Sequence, residues 1–230
     1  MDELFRQTEY QQKLGPNIIE QFVTSHDLVG MIAELIQNDF GAKSRRLTIQ
    51  FQADRLVAAS YGLRVDKKGW ERLSFWLGVG QDVAKTGGIG KKNFGLRSLF
   101  LVGDRIAVSS GGYKTGIVLD WGARKDKIRD NATYPVGLSF NLEIQFRKEP
   151  LWKIPVFTRQ REEELFSQLE EHLRIFVQLL VCTKQQQAFP LRRGKPLFKP
   201  YEVEIKSERL NKFILCRATA WQDKQVEGLI

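Results

Sequence analysis

The chain has 230 residues, a hydrophobic fraction of 42% and a formal net charge of +9. This composition is typical of a folded globular protein and excludes wholesale disorder. No apolar run is long enough to span a bilayer, and the first residues are too polar for a secretory signal peptide. The two cysteines, Cys182 and Cys216, form neither a disulfide framework nor a metal-binding spacing. We therefore expect a cytoplasmic protein with no contact to a membrane.

The excess positive charge is concentrated toward the end of the chain. Residues 183–230 contain ten Lys and Arg residues and five Asp and Glu residues, a net of +5. The ordinary interpretation is a solvated surface, and the alternative is a basic patch that binds nucleic acid or another polyanion. His26 and His172 lie in no metal-ligand pattern with Cys, Asp or Glu, so we expect no zinc site.

The first strongly patterned segment is a helix followed by a strand. Before it, residues 1–24 contain a short helical pattern that is broken at residues 15–17. Ser25 is predicted to cap the next helix, with Asp27 in its first turn. The apolar residues that recur at three- and four-residue steps in this helix are Leu28, Ile32, Leu35 and Ile36. Residues 47–51 then alternate between apolar and polar and predict a half-buried strand.

Glu34 and Asn38 are four residues apart, so their side chains lie on one side of the predicted helix. A carboxylate can orient or deprotonate a water molecule. An amide oxygen can serve as the single protein ligand of a Mg²⁺ ion that phosphates and waters otherwise surround. Such a pair also occurs on many ordinary helices, so its interpretation as a site depends on a second motif.

The remaining elements are mostly strands. Asp54 and Arg55 predict a turn, and residues 56–59 predict the second strand of a hairpin. The further predicted elements are helices at 70–77 and 96–101, strands at 105–109, 115–120 and 136–146, a boundary at 149–158, a helix at 161–181, and strands near 201–206 and 212–220. Helices followed by a run of antiparallel strands predict an α+β sandwich, with helices on one face of a mixed sheet.

The second motif lies in the most glycine-rich part of the chain, residues 78–95. Its core reads Gly87-Gly-Ile-Gly-Lys-Lys-Asn-Phe-Gly-Leu-Arg-Ser98. Glycines let the backbone approach phosphate groups closely, and free N–H groups at a helix start bind anions. Lys91, Lys92 and Arg97 add positive charge where a triphosphate would lie. The alternative is a flexible loop whose glycines only make turns.

Together these two motifs resemble those of a known superfamily. Residues 34–42, ELIQNDFGA, resemble the N-box of the GHKL ATPases, whose pattern is roughly E-L-x-x-N-x-x-D-A followed by a strand. That superfamily includes the gyrase B subunit, the ninety-kilodalton heat-shock chaperone, sensor histidine kinases and MutL. Residues 87–98 resemble its phosphate-binding lid. The continuation through Ser110 resembles the sacsin-like and MORC-like branches.

The resemblance implies a Bergerat-type two-layer sandwich, in which helices cover one face of a mixed, mostly antiparallel sheet. It also implies Mg²⁺ and ATP as ligands, with Glu34 as the catalytic base and Asn38 as the Mg²⁺ ligand. The residues that it implies for nucleotide binding are Asn38, Ser60, Gly62, Gly88, Gly90, Lys91, Lys92, Asn93, Phe94, Gly95, Leu96, Arg97 and Ser139.

The departures from the superfamily pattern cluster on recognition of the base. Ser60 stands where the superfamily has the Asp that accepts from the adenine amino group, although Gly62 is kept. Gly41 replaces the last Asp of the N-box, and Leu138 alters a Gly-Thr pair beside the base. Asp66 could supply the missing carboxylate only from a shifted loop. We therefore expect triphosphate and Mg²⁺ binding with weak discrimination between ATP and GTP.

The resemblance covers about residues 20–147. We expect residues 1–150 to form a nucleotide-binding domain, and residues 151–230 to form a helical and strand extension with a basic tail, packed on it. The primary hypothesis is slow ATP hydrolysis that drives a conformational or dimerisation switch, with a second copy or a partner protein, in DNA-related or antiviral defence work. The alternatives are a degenerate domain that acts as a nucleotide sensor or scaffold, and a nucleic-acid-binding protein that uses the basic tail.

Overall fold

The computed structural model describes residues 26–65, 95–110, 115–120, 125–130, 140–151, 153–188 and 200–218. The helices in these ranges are α1 (Leu28–Gly41), the 3₁₀ helix η1 (Gly95–Leu101) and α2 (Arg159–Ala188). The strands are β1 (Arg46–Phe51), β2 (Arg55–Ser60), β3 (Gly103–Ser109), β4 (Thr115–Asp120), β5 (Lys125–Asp130), β6 (Phe140–Phe146), β7 (Tyr201–Ser207) and β8 (Lys212–Ala218).

The eight strands of the described ranges belong to one sheet. Their order is β5-β4-β3-β6-β2-β1-β7-β8. Strands β1 and β7 run parallel, with Arg46 opposite Glu202 and Phe51 opposite Ser207. The other neighbouring pairs run antiparallel. The sheet is therefore mixed and mostly antiparallel, as predicted.

The two α-helices cover one face of this sheet. In β1 every second residue, beginning at Leu47, is buried, while Thr48 and Gln50 between them are only half-buried. The Phe51 ring lies 5.6 Å from the ring of Phe166 in α2. From β7, the Tyr201 hydroxyl reaches the α1 backbone at the Ile36 carbonyl, 3.3 Å away. The predicted α+β two-layer sandwich is confirmed.

Most predicted elements that fall within the described residues are present, and two elements need comment. The helix expected at 161–181 is longer, because α2 begins at Arg159 and ends at Ala188. Strand β5 was not predicted, since KDKIRD has only one apolar residue. The helix expected at 70–77 and the pattern in residues 1–24 lie outside the described residues.

The cap of α1 differs from the prediction. Asp27 is itself the N-cap, in an extended backbone conformation, and its carboxylate accepts a hydrogen bond of 2.6 Å from the Gly30 N–H. Asp27 therefore precedes the first turn, and Ser25 lies outside the described residues. An N-cap carboxylate satisfies one of the N–H groups that lack a partner within the helix.

The division of the chain near residue 150 stays a prediction. The described residues beyond it join the sheet of the first part, because β7 pairs along the whole of β1. Helix α2 packs against β8 of the sheet and, within the helix layer, against α1.

Candidate functional site

Helix α1 is the element that positions the predicted catalytic pair. Its buried face is formed by Met31, Ile32, Leu35, Ile36 and Asp39. Glu34 and Asn38 lie on the flank of that face, and both are half-buried. The periodicity of the apolar residues fixes this orientation, because turning the helix to expose the pair fully would also expose its core residues. The pair is thus held on one side of α1 without being enclosed in the core.

The end of the glycine-rich segment lies beside this helix. The backbone of Gly95, Leu96 and Arg97 is part of η1, which packs on α1. Leu99 and Phe100 are fully buried and fix η1 in the core. The structure therefore brings the final turn of the predicted phosphate-binding segment to the helix that carries Glu34 and Asn38.

A buried arginine closes the other end of η1. The Arg147 guanidinium donates to the carbonyls of Phe100, at 2.7 Å, and Gly103, at 3.1 Å, and it forms an ion pair with Asp104. Carbonyls at the end of a helix have no partner within it, so this side chain satisfies that of Phe100 in η1, while Gly103 begins β3. Sequence reasoning missed this residue, because its position relative to η1 follows only from the pairing of β3 with β6.

The segment that follows β2, residues 61–65, is fastened to the end of α1; we call it the β2 loop. Leu63 N–H donates to the Ala42 carbonyl at 2.6 Å. Tyr61 N–H donates to the Ser44 hydroxyl at 3.3 Å. A Cβ atom on Gly62 would lie 2.5 Å from the Ala42 carbonyl oxygen and 2.8 Å from the Ser44 nitrogen. Gly62, one of the predicted site residues, is therefore required where two backbone segments meet.

Asp39 is a buried carboxyl that sequence reasoning missed. Its residue exposure is 5%. Its Oδ2 accepts a 2.8 Å hydrogen bond from the Tyr201 hydroxyl, while Oδ1 is buried and accepts none from the described residues. Burial raises its pKa to about 6, against the opposing effect of the Ser60, Tyr201 and Ser44 hydroxyls. Burial and the neighbouring Asp39 likewise raise the pKa of Tyr201.

A signal for Asp39 was present in the sequence. It follows Ile32, Leu35 and Ile36 at the next step of the apolar repeat, so a charged residue stands on the core face of α1. Such a residue is rarely buried unless it is paired, and it indicates a partner elsewhere in the chain.

Ser60 lies at the end of β2, beside this carboxyl. It is 2% exposed, and its hydroxyl lowers the pKa of Asp39. Its oxygen also accepts a 3.3 Å hydrogen bond from the Gly62 N–H. The structure therefore joins three predicted or candidate positions: the end of β2, the β2 loop and the last turn of α1.

Several predicted site residues lie outside the described residues, and their assignments stay predictions. They are Gly88, Gly90, Lys91, Lys92, Asn93, Phe94 and Ser139. Asp66 and Leu138 also lie outside the described residues. For Gly95, Leu96 and Arg97 the backbone is described and the side chains are not.

A metal site of three or more His, Cys, Asp or Glu residues is not found in the described ranges. The predicted Mg²⁺ site is of another kind, with Asn38 as its single protein ligand. Within the same part of the chain, none of the helices combines the length and the apolar character needed to cross a membrane.

Comparison with known proteins gives only distant similarity. No protein-family model matches the chain, and no curated protein matches it. One similar solved structure, the N-terminal domain of a DNA repair protein, is 14% identical with a TM-score of 0.43; the match covers 86% of this chain and 54% of that one. The chain thus spans about half the length of that structure.

A second similar structure is the MutL ATPase domain of Aquifex aeolicus in complex with ADP. It is 13% identical with a TM-score of 0.45, and the match covers 87% of this chain and 67% of that one. At these values neither similarity defines a family.

Proposed function

We propose that the chain binds a nucleoside triphosphate with Mg²⁺ along the flank of α1, in the manner of the GHKL ATPases, and hydrolyses it slowly. The observation that carries the proposal is the meeting of three segments at this helix. Glu34 and Asn38 lie on its flank, η1 packs against it, and the β2 loop is bonded to its end.

Each segment would have a distinct role in binding. Asn38 would supply one oxygen ligand to Mg²⁺, with phosphates and waters completing its shell. Backbone N–H groups of the glycine-rich segment leading into η1 would contact the phosphates. Glu34 would orient the attacking water or accept its proton. It is half-buried, and it lies one helical turn before Asn38, so both side chains can face the same ligand.

The binding claim is tested by thermal unfolding of the full chain with Mg²⁺ and increasing ATP, ADP or GTP. A ligand that binds only the folded state raises the melting temperature by mass action. We expect Mg-ATP to raise it in the wild type and much less in Asn38→Ala. Gln37→Ala is the matched control on the same helix and should behave like the wild type. No response of the wild type to any of the nucleotides would contradict the proposal.

The hydrolysis claim is tested by phosphate release. Glu34→Gln keeps the size of the side chain but removes the base, so release should fall about 100-fold or more while Mg-ATP affinity stays near the wild-type value. Release that is equal in both proteins would contradict the role of Glu34. If the wild type binds nucleotide and releases no phosphate, the chain is a nucleotide sensor or scaffold, the alternative that the missing carboxylate at Ser60 favours.

Of the four basic residues that the structure describes between residues 200 and 218, three pair with an acidic residue, which gives little support to nucleic-acid binding. Lys206 pairs with Glu204 at 2.6 Å, Arg209 with Glu162 at 2.5 Å, and Lys212 with Glu170 at 3.2 Å. Their charges are thus largely compensated locally. A dimerisation switch, and work on DNA or in antiviral defence, stay predictions of the resemblance.

A further inference from the structure

We propose that β8 is the surface through which two copies of this chain associate, with the two β8 strands pairing antiparallel so that the two sheets join. A twofold axis through Leu215 relates the copies. The inference goes beyond the proposed nucleotide binding and does not depend on it, because β8 ends the sheet two strands beyond β1, whereas the proposed nucleotide lies along α1.

The first argument is an open strand edge. Within the described ranges β8 is the last strand of the sheet, and β7 is its one neighbour. Its pairing with β7 is regular from Lys212 to Ala218, without a bulge that would twist the edge away, and the strand contains no proline. Such an edge presents a row of backbone N–H and C=O groups that a further strand can bind.

The second argument is the contrast between the two edges of the described sheet. Strand β5, at the opposite edge, has charged residues at five of its six positions, and charged edge strands resist pairing with another chain. In β8 the four residues 213–216, FILC, are apolar. Phe213 and Leu215 are 54% and 52% exposed, on the face of the sheet that α2 does not cover. One edge is therefore protected by charge, and the other is suited to association.

The third argument is that β8 is complementary to itself. Leu215 is the middle residue of the strand, so antiparallel pairing about Leu215 matches all seven residues of each copy. On the exposed face, Leu215 packs against Leu215 of the second copy, and Phe213 lies opposite Arg217. On the buried face, Ile214 lies opposite Cys216. Directly opposite residues of this kind are the pairs that stabilise a sheet.

The same pairing matches charge. Lys212 lies opposite Ala218, and Arg217 lies opposite Phe213. The Lys206 ammonium is 5.4 Å from the centre of the Phe213 ring, and Lys206 stands on β7, so the open edge is on the other side of Phe213. There the ring attracts the Arg217 guanidinium of the second copy. Pairing about Lys212 or Arg217 would instead set like charges face to face. A second copy is therefore the occupant that β8 fits.

The experiment is analytical ultracentrifugation of the full chain, without nucleotide, over a range of concentrations. We expect the wild type to dimerise reversibly and to reach twice the mass of one chain. Leu215→Glu sets two carboxylates against each other across the axis and should weaken dimerisation at least about tenfold. Phe213→Glu is the matched control on the same face of the strand. It sets a carboxylate opposite Arg217, so its dimerisation should stay within about fivefold of the wild type.

Cross-linking tests the register independently of affinity. Leu215→Cys brings two thiols together at the axis, where the Cα atoms of an antiparallel pair are about 4.5–5.5 Å apart, a separation that a disulfide spans. We expect mild oxidation to convert this variant into a covalent dimer. Arg217→Cys, whose partner is Phe213, should give none. The wild type, in which Cys216 lies opposite Ile214, should give none either.

A wild type that sediments as a monomer at every concentration would overturn the proposal, and it is the result expected if another segment of the same chain covered β8. A dimer that Leu215→Glu leaves intact would also overturn it, because the interface would then lie elsewhere. Equal cross-linking of Leu215→Cys and Arg217→Cys would contradict the pairing about Leu215. Because Leu215 is exposed, the circular dichroism spectrum of Leu215→Glu should match that of the wild type, which separates lost dimerisation from lost folding.

Discussion

Gly62 shows how a single residue can determine the geometry of the candidate site. A methyl group there would meet backbone atoms of Ala42 and Ser44 at 2.5 and 2.8 Å, and backbone cannot move aside as a flexible side chain can. The β2 loop and the end of α1 would have to separate. Because Leu63 donates to Ala42 in the same place, that separation would also lengthen the hydrogen bond that fastens the loop.

We therefore expect Gly62→Ala to lower the free energy of unfolding by about 1–3 kcal/mol, the usual cost of an overpacked contact. Gly41→Ala is the control, because a Cβ atom there meets nothing within 4 Å and alanine favours helix. Urea unfolding of both variants measures the difference. Equal stability of Gly62→Ala and the wild type would contradict the close approach of these two segments.

Asp39 makes the stability of the chain depend on pH. Its pKa in the folded chain is about 6, above the ordinary value of 3.8, so the folded state holds this proton more strongly than the unfolded state. The resulting stabilisation is fully present below pH 3.8 and is lost as the pH rises through 6. A shift of this size corresponds to roughly 3 kcal/mol.

The measurement compares urea unfolding of wild type and Asp39→Asn in metal-free buffer at several values between pH 4 and pH 7. We expect the wild type to lose roughly 3 kcal/mol relative to the variant over this range. A difference between the two proteins that does not change with pH would show that Asp39 is not a desolvated carboxyl.

At the scale of elements, α2 is joined to the turn between β7 and β8 by a buried ion pair. Glu162 has a side-chain exposure of 0%, and Arg209 contacts it at 2.5 and 2.6 Å. The Arg209 guanidinium also lies over the rings of Phe146 and Phe157, 5.0 and 5.3 Å from their centres. Removing one partner of such a pair leaves the other charge buried without compensation.

Arg209→Ala should therefore lower the free energy of unfolding by about 3–5 kcal/mol. Arg159→Ala is the matched control in α2, because Arg159 pairs with Glu163 at 3.2 Å on the exposed surface and should cost less than about 1 kcal/mol. Chemical unfolding of the two variants decides the point. Losses of equal size would mean that the buried pair contributes no more than the surface pair.

The elements that the sequence predicts well are those with a clear hydrophobic period. Helix α1 has apolar residues at three- and four-residue steps, and strands β1 and β2 alternate between buried and less buried residues. All three elements are present as expected. Strand β5 has charged residues at five of its six positions, so its sequence lacks the apolar alternation that predicts a strand. Its strand conformation follows from its pairing with β4.

At the scale of the whole molecule, the parallel pairing of β1 with β7 is the feature least accessible from sequence. Some 150 residues separate the two strands, and nothing in either strand specifies the other as its neighbour. For the same reason, the hydrogen bond between Asp39 and Tyr201 could not be predicted from the sequence. The motif residues Glu34 and Asn38 could be named in advance because their spacing is local, whereas the partners of Asp39 are brought to it by the fold.

This pairing makes a prediction about the division of the chain near residue 150. A fragment of residues 1–150 lacks α2, β7 and β8, so the face of β1 that contacts Phe157 and Phe166 would be exposed to water. We expect this fragment to show no cooperative unfolding transition by circular dichroism, in contrast to the full chain. A cooperative transition in the fragment would show that residues 1–150 fold by themselves.

The central claim is that a nucleotide binds along the flank of α1, between η1 and the β2 loop. Amide hydrogen exchange of the full chain, with and without saturating Mg-ATP, tests the location of binding most directly. We predict slower exchange with Mg-ATP in residues 34–42, 61–65 and 95–101, and unchanged exchange in β8 at the far edge of the sheet. Unchanged exchange in those three segments, or protection confined to β7 and β8, would contradict the account.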